Sequence, residues 1–253
     1  MSETTARETI SRKAGANYAE WIEKHFNSIR PFGKKYDLPL RDIFVKVNIF
    51  ETITAQQEIS PDALQKTFDY DRKGFGITRK TAGGIEAVSR NPKLIVLGKP
   101  GAGKTTFLKY LTLRTIDGKL TGNRTPIFIG LKEWGDSQKT LLDFIVQQLE
   151  VCQFPEPKPY IEHLLKKGIF LLLLDGFDEV SGNVEEAVKE IQALAENYGE
   201  NQFVLSCRIA AWNYAFEKFI SVEMADFDDE QIKTFINNWF GEEHTTANNV
   251  GIN

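Results

Sequence analysis

The sequence has few cysteines, no long apolar run and no large net charge, and each of these shortages excludes a class of protein. Its 253 residues include only two cysteines, Cys152 and Cys207, which are far apart and lack the spacing of a metal site. Both are predicted to be reduced cysteines of a hydrophobic core. The longest apolar run, near Ile169–Leu174, is far too short to span a bilayer.

The N-terminus and the charge balance give no sign of export or of a charged macromolecular partner. The polar start, MSETTARETISRKAG, lacks the apolar segment of a signal peptide. A net charge of −4 provides no electrostatic case for binding nucleic acid or a membrane surface. We therefore expect a cytoplasmic protein that has no membrane partner, and nothing in the sequence directly indicates a nucleic-acid partner.

Residues 1–84 are predicted to form an N-terminal region made of a helix, a strand and a linker. Apolar residues at helical spacing predict an amphipathic helix over about residues 8–28. The alternating apolar residues of DIFVKVNIF predict a strand over residues 42–50. Residues 51–75 are interpreted as a solvated linker, and residues 84–90 as a short helix.

Residues 85–240 show a regular alternation of apolar strands and amphipathic helices. This alternation predicts a mainly parallel sheet with helices on both faces, in a three-layer α/β/α sandwich. The predicted strands are residues 94–97, 126–131, 169–174, 202–206 and 219–224. The predicted helices are residues 104–114, 138–151, 159–167, 183–198 and 228–240, the last with a capping box between Asp228 and Gln231. Residues 241–253 are predicted to be a polar, frayed tail.

The stretch LIVLGKPGAGKTT, residues 94–106, is the most informative part of the chain. An apolar strand leads into a glycine-rich loop that matches G-x-x-x-x-G-K-[ST], and a helix is predicted to follow. In such a loop the backbone N–H groups surround a phosphate, the lysine adds a full charge and the hydroxyl contacts magnesium. The predicted nucleotide-binding residues are Gly98, Lys99, Pro100, Gly101, Ala102, Gly103, Lys104, Thr105 and Thr106. The alternative, a glycine-rich turn without a ligand, is disfavoured because strand, loop and helix are all in register.

Acidic residues follow the most apolar of the predicted strands. Asp175 stands at the C-terminal tip, where open parallel sheets bind their ligands, so Asp175 and Thr105 are predicted to hold a magnesium ion. Asp178 and Glu179 are both candidates to orient or deprotonate an attacking water, and capping of the next helix is their structural alternative. Arg208, just beyond another predicted strand, is a candidate to sense or stabilise charge on the terminal phosphate, with an exposed loop arginine as the alternative.

Together these segments resemble the NACHT family of signal-transduction NTPases, of the STAND class, and particularly its bacterial and cyanobacterial members. The segments that carry the resemblance are LIVLGKPGAGKTTFLKYL, PIFIGLKEW, GIFLLLLDGFDEV, NQFVLSCR and FDDEQIKTFINNWF. The specific part is DGFDE, in which a small residue follows the magnesium aspartate and acidic residues lie further downstream. The resemblance covers roughly residues 85–240, and residues 18–50 are similar to the region that precedes NACHT domains in bacterial proteins.

The resemblance implies a P-loop NTPase fold, with ATP or ADP and Mg²⁺ as cofactors. It implies an extra strand between the phosphate-loop strand and the Asp175 strand, so that residues 202–206 lie beside residues 94–97 and Arg208 reaches the terminal phosphate. It also implies a switch in innate-immune or antiphage signalling, closed with ADP and open or homo-oligomeric with ATP. Family members continue into helical, winged-helix and repeat modules, so we expect this chain to be a truncated piece or a minimal member.

The sequence leaves two functions open. One is a Mg-dependent switch ATPase with slow hydrolysis, which Asp178 and Glu179 favour. The other is an interaction scaffold that binds ATP or ADP with little or no turnover, which the missing C-terminal modules favour. No [NT]-K-x-D element for guanine recognition occurs in the sequence, yet the choice between ATP and GTP, the oligomeric state and the identity of the water-orienting acid stay open.

Overall fold

The computed structural model describes residues 3–30, 37–50, 81–120, 122–152, 157–212 and 216–240, with the side chains in these ranges except those of residues 3–13 and 151. The predicted linker over residues 51–75 and the predicted tail over residues 241–253 lie outside the described residues. Within the described part, no helix combines the length and apolarity that crossing a membrane requires.

The described strands form one mixed sheet in the order β2-β1-β7-β3-β6-β5-β4. Strands β7, β3, β6, β5 and β4 run parallel, and β1 pairs antiparallel with both β2 and β7. The strand bounds are Asn48–Phe50 (β1), Thr81–Gly83 (β2), Lys93–Gly98 (β3), Thr125–Gly130 (β4), Phe170–Asp175 (β5), Gln202–Arg208 (β6) and Ile220–Met224 (β7). The predicted α/β fold with a mainly parallel sheet is confirmed.

Helices cover both faces of this sheet. Their bounds are Glu3–Phe26 (α1), Leu40–Ile43 (α2), Gly84–Arg90 (α3), Lys104–Ile116 (α4), Leu131–Asp136 (α5), Leu141–Gln148 (α6), Pro157–Lys166 (α7), Val184–Asn197 (α8) and Asp229–Phe240 (α9). Short 3₁₀ turns occupy Glu150–Cys152, Phe177–Glu179 and Ile209–Ala211. The short helix predicted over residues 84–90 and the capping box of Asp228 and Gln231 are both confirmed.

The central strands are apolar on both faces because alternate side chains enter two different cores. On β5, Leu172 and Leu174 belong to one core, and Leu171 and Leu173 belong to the other, and all four are fully buried. Side chains on a strand alternate between its two faces, so a strand covered on both sides has no exposed position to fill with a polar residue. This explains why the strand reads as a continuous run of leucines.

The strand order brings the segments of the predicted site together at one edge of the sheet. Strand β6 lies between β3 and β5, as the family resemblance implies. Gly98 at the end of β3 is in register with Arg208 at the end of β6. On the other side of β6, Leu174 is in register with Leu205, so Asp175 lies beside Ser206 at the carboxyl end of the sheet.

The predicted strand over residues 42–50 is wrong for most of its length. Residues 40–43 form α2, residues 44–47 have no regular secondary structure, and only residues 48–50 join the sheet as β1. The alternating residues Ile43, Val45, Val47 and Ile49 are all buried. The alternation of apolar residues therefore reflects burial of one side of the segment. Burial alone does not require a neighbouring strand.

The helix predicted over residues 138–151 is confirmed as α6, but its bounds are wrong at both ends. Gln138 has a φ of +57°, outside the helical region, and Thr140 caps the start of α6 by accepting a hydrogen bond from the backbone N–H of Asp143. The helix ends at Gln148, and a 3₁₀ turn follows. A threonine followed three residues later by an acidic residue is a helix-start signal, which the periodicity of the apolar residues concealed.

The N-terminal helix and strand pack into the cores on the two faces of the central sheet, the helix into one and β1 into the other. Ala14, Tyr18, Ile22 and Phe26, spaced four apart on α1, are all buried there. The hydroxyl of Tyr18 donates a hydrogen bond of 2.9 Å to the backbone carbonyl of Pro126 on the edge strand β4. The boundary at residue 84 stays a prediction, because these contacts concern packing and do not show where a domain begins.

Both cysteines are buried and neither forms a disulfide, as predicted. Burial raises the pKa of the Cys152 thiol to about 11 and that of the Cys207 thiol to about 12. Thiols held in the neutral form are poor nucleophiles, so both residues act as small apolar side chains.

Candidate functional site

The loop between β3 and α4 has the backbone geometry of a phosphate cradle. Gly103 has a φ of +88° and immediately precedes the first residue of α4. A positive φ of this size strongly favours glycine, which explains the residue at this position. The first backbone N–H groups of α4 have no partner inside the helix, and together with the positive end of the helix they suit an anion.

The ammonium group of Lys104 lies against the same loop. Its Nζ donates hydrogen bonds to the carbonyl oxygens of Gly98 at 3.0 Å and Lys99 at 3.1 Å. Burial lowers the pKa of Lys104 from its ordinary value, and the nearby carboxylate of Asp178 opposes that shift. Because a partly buried cation gains free energy from a neighbouring anion, this position suits a phosphate group.

A polar cavity of about 330 Å³ brings most of the predicted site residues together. Its lining residues are Pro100, Gly101, Gly103, Lys104, Thr105, Thr106, Asp175, Gly176, Asp178, Glu179, Ser206 and Arg208. This cavity is called the phosphate cavity below. Three of the predicted nucleotide-binding residues, Gly98, Lys99 and Ala102, are not part of its lining.

Ser206 is a site residue that the sequence reasoning missed. Its hydroxyl donates a hydrogen bond of 2.6 Å to Oδ1 of Asp175 and accepts one of 2.9 Å from the backbone N–H of Gly176. Ser206 is almost completely buried, and the N–H of Gly176 fixes its hydroxyl. The hydroxyl in turn fixes the orientation of the Asp175 carboxylate. The signal in the sequence was a single hydroxyl residue in the otherwise apolar run FVLSC, residues 203–207.

The turn after Asp175 is fixed by a glycine and an aromatic anchor. Gly176 has a φ of +79°, and the residues after it form a 3₁₀ turn. Phe177 is buried, with its ring 5.3 Å from that of Phe216 in an edge-to-face arrangement. This anchor holds Asp178 and Glu179 at the edge of the phosphate cavity.

Arg208 contacts both acids of this turn. Its backbone N–H donates to Oδ1 of Asp178 at 2.8 Å, and its Nε lies 3.0 Å from Oδ2 of the same residue. Its Nη2 donates to Oε1 of Glu179 at 3.1 Å. The Asp178 side chain is only 6 % exposed with both oxygens engaged, whereas the Glu179 side chain is 48 % exposed.

A second, mainly apolar cavity adjoins the phosphate cavity. It has a volume of about 510 Å³ and shares Gly101, Gly103 and Thr106 with the first. Its other lining residues are Ile29, Leu40, Ile43, Phe44, Val45, Val47, Ala102, Ala225, Asp226, Phe227, Phe235 and Trp239. We call it the apolar cavity. The sequence predicted the helix that carries Phe235 and Trp239 but did not connect it with the phosphate loop.

The oxygen ligands in the phosphate cavity fit a magnesium ion. Thr105 offers a hydroxyl and Asp175 a carboxylate, and both line this cavity. Magnesium prefers oxygen ligands, and in nucleotide sites it takes one or two from the protein and the rest from water and phosphate. The described residues contain no cluster of three or more His, Cys, Asp or Glu side chains suited to holding a metal ion without such additional ligands.

Comparison with protein families gives a match over more than half of the chain. The profile of the family described as the NACHT domain matches residues 93–243. A comparison with the curated proteins gives no match.

Several solved structures are similar to part of the chain. DnaA from Aquifex aeolicus with bound AMPPCP is 18% identical, with a TM-score of 0.41, over 66% of this chain and 50% of that one. A DNA replication initiation factor is 18% identical, with a TM-score of 0.39, over 79% and 56% respectively. PCH-2 from C. elegans is 14% identical, with a TM-score of 0.31, over 56% and 41%. The chain thus spans about half the length of the solved structures it matches.

Proposed function

Because the chain belongs to the NACHT family of P-loop NTPases, we propose that it is a Mg-dependent switch ATPase with slow hydrolysis that acts in signal transduction. The observation that carries this proposal is the convergence of a cationic loop and three carboxylates on one cavity. Lys104 and Thr105 come from the loop, and Asp175, Asp178 and Glu179 come from the end of β5 and the turn after it. Cationic and acidic side chains around one polar cavity suit a metal-bound polyphosphate and the activation of a water molecule.

The two adjoining cavities support a nucleotide as the ligand. The phosphate cavity suits a polyphosphate, and the apolar cavity begins at the same glycines, where the nucleoside of a bound nucleotide would emerge. Ligand sites of this kind are typically apolar with a few polar groups and measure roughly 300–1,000 Å³. The aromatic rings of Phe44, Phe235 and Trp239 provide surfaces on which a flat base can pack.

In this proposal the residues of the site have distinct roles. The loop residues 98–106 bind the phosphates, with Lys104 contacting the outer ones. Thr105 and Asp175 hold Mg²⁺, which when bound neutralises charge on the phosphate oxygens. Ser206 orients the Asp175 carboxylate. Arg208 contacts the terminal phosphate.

Of the two acids, Glu179 is the better candidate to orient the attacking water. Asp178 has both carboxylate oxygens engaged by Arg208 and is nearly inaccessible. Glu179 is about half exposed and contacts Arg208 through Oε1. A carboxylate that is exposed to the cavity can accept a proton from water, whereas one held in a buried ion pair is occupied by its partner.

Calorimetric titration and single-turnover hydrolysis test this function together. We expect Mg-ATP and Mg-ADP to bind, ATP to be hydrolysed slowly, and Lys104→Ala to weaken both affinities at least about tenfold, or about 1.4 kcal/mol. Lys158→Ala is the matched control, because Lys158 is an exposed lysine that pairs with Asp143 on the surface. Absence of nucleotide binding in the unaltered chain would refute the proposal. Binding without any turnover would instead support the second candidate, a nucleotide-dependent scaffold.

We also propose that ATP favours an open or homo-oligomeric state and that the signalling concerns immunity against phage. Membership of the NACHT family supports both parts of this proposal. Native mass spectrometry of the purified chain would identify the co-purifying nucleotide and the number of copies per particle. A particle that stays monomeric with both ATP and ADP would contradict the assembly step.

A further inference from the structure

Arg41 joins three helices through a single guanidinium group. It lies on the four-residue helix α2 and reaches Glu23 on α1 and Asp117 at the end of α4. The contacts to Asp117 are Nε to Oδ2 at 3.0 Å and Nη2 to Oδ1 at 2.7 Å. Those to Glu23 are Nη1 to Oε2 at 2.8 Å and Nη2 to Oε1 at 2.5 Å. Both carboxylates are therefore held in the paired geometry that only arginine provides.

This ion pair is more sheltered than the surface pairs of the molecule. The side chains of Arg41 and Asp117 are 22 % and 18 % exposed, whereas those of the surface pair Arg90 and Glu86 are 64 % and 53 % exposed. The hydrogen bonds from Arg41 hold the pKa of Asp117 below its usual range. Loss of the guanidinium would leave the sheltered Asp117 carboxylate with only the longer contact to Nζ of Lys119, at 3.4 Å, which costs more than loss of an exposed pair.

The residues beside Arg41 form a wall of the apolar cavity. Leu40, Ile43 and Phe44 line it, and the ring of Phe44 stacks on Tyr110 of α4 with centroids 3.6 Å apart and planes 9° apart. Helix α4 begins at Lys104, in the phosphate loop, and Asp117 caps its other end. The wall of the apolar cavity is thus fixed to the helix that carries the phosphate-binding residues.

A helix of four residues has little stability of its own, so its position depends on its attachments. Burial of Leu40 and Ile43 holds α2 against the core but does not fix its position along α4, because apolar contacts are not directional. The paired hydrogen bonds of Arg41 to a carboxylate at the end of α4 fix that position. Displacement of this wall would change the shape of the apolar cavity and leave the phosphate loop, at the opposite end of α4, in place.

We propose that Arg41 is a positioning residue for the nucleoside half of a bound nucleotide, because it fixes the α2 wall relative to the phosphate loop. This inference rests on the proposed function, and it assigns a task to a residue that lies outside both cavities. It predicts that loss of the guanidinium weakens recognition of the nucleoside and spares recognition of the phosphates.

The test compares ATP and ADP with inorganic tripolyphosphate, each with magnesium, in the complete chain. We expect Arg41→Met to weaken ATP and ADP binding by about tenfold and to change tripolyphosphate binding, measured by competition with ATP, by less than about twofold. Arg90→Met removes an exposed arginine from a surface pair and should leave all three affinities unchanged. Arg41→Lys, which keeps the charge without the fork, should recover only part of the lost affinity.

Asp117→Asn keeps the test decisive if Arg41→Met does not fold. This variant preserves the size of the side chain and both contacts between Arg41 and Glu23, so the fold should persist. It removes the carboxylate charge at the end of α4 and should weaken ATP several-fold with tripolyphosphate unchanged. Equal losses for ATP and tripolyphosphate, or unchanged ATP affinity in both Arg41→Lys and Asp117→Asn, would overturn the role of Arg41. If the unaltered chain binds tripolyphosphate but no nucleotide, the proposed function itself fails.

Discussion

Arg208 binds Asp178 through two contacts and Glu179 through one, and this difference predicts different effects of neutralising each acid. Glu179→Gln should reduce single-turnover hydrolysis by roughly a hundredfold while Mg-ATP affinity changes by less than about threefold, as expected for the residue that orients water. Asp178→Asn should reduce hydrolysis by about tenfold, because the amide oxygen still accepts the backbone N–H of Arg208. The reverse order of the two effects would assign the water to Asp178.

Ser206 gives a second prediction for a single side chain. Ser206→Ala should raise the magnesium concentration needed for half-maximal hydrolysis by about tenfold, because Asp175 loses the hydroxyl that orients it. A magnesium titration of the hydrolysis rate measures this change. Ser28→Ala is a matched control, since Ser28 donates a similar hydrogen bond to Asp37 on the exposed surface. An unchanged magnesium requirement in Ser206→Ala would show that the hydroxyl has only a structural role.

Most residues that line the phosphate cavity were predicted from the sequence as candidates, and the exceptions have a physical reason. The loop residues and Asp175 could be predicted because a local motif carries their chemistry. Ser206 and Phe44 could not, because each becomes part of the site only through an element that is distant in sequence. Ser206 depends on the insertion of β6 beside β5, and Phe44 depends on the packing of α2 against α4.

Among the described helices, α9 depends most on its N-terminal cap. None of its residues is fully buried, and its start is fixed by the reciprocal hydrogen bonds of Asp228 and Gln231. Gln231 also donates to the carbonyl oxygen of Lys46, which ties the helix to the segment before β1. Asp228→Ala should lower the free energy of unfolding by about 1 kcal/mol, measured by urea denaturation.

The control for this prediction lies on the same helix. Lys233 is exposed in the middle of α9, and Lys233→Ala should leave the free energy of unfolding within about 0.5 kcal/mol of its original value. Because Phe235 and Trp239 line the apolar cavity, Asp228→Ala should also weaken ATP binding several-fold. A variant that loses stability and keeps full ATP affinity would show that the cavity does not require an intact start of α9.

Elements buried on both faces were predicted better than elements that attach to one face. The parallel strands and most of their helices were predicted to within a few residues, because complete burial produces unbroken apolar runs. The segment over residues 42–50 was mispredicted because one-sided burial imitated strand alternation. The helix α6 was predicted with bounds that were too wide, because an apolar periodicity continues across the cap at Thr140.

For the whole molecule, the nucleotide should act as part of the folded structure. A ligand that binds only the native chain, present at about a hundred times its dissociation constant, adds about 2.7 kcal/mol to the free energy of unfolding. For a chain of this size the melting temperature should rise by roughly 5–10 °C with Mg-ATP or Mg-ADP, as measured by differential scanning fluorimetry. Chelation of magnesium should reduce the rise, and Lys104→Ala, which is expected to weaken affinity at least about tenfold, should remove about half of it or more. No rise with any nucleotide at millimolar concentration would indicate an incomplete site.

The strand order has a consequence for the newly made chain as it leaves the ribosome. Strand β3, which ends in the phosphate loop, has β6 and β7 as its neighbours in the sheet, and both are translated long after it. A ribosome that has synthesised the chain only as far as residue 201 would hold the whole loop sequence with both edges of β3 unpaired. Exposed strand edges are prone to aggregation, and the loop lacks a framework until they are covered. The emerging chain should therefore acquire affinity for ATP late and abruptly, once β6 and β7 have both passed the exit tunnel.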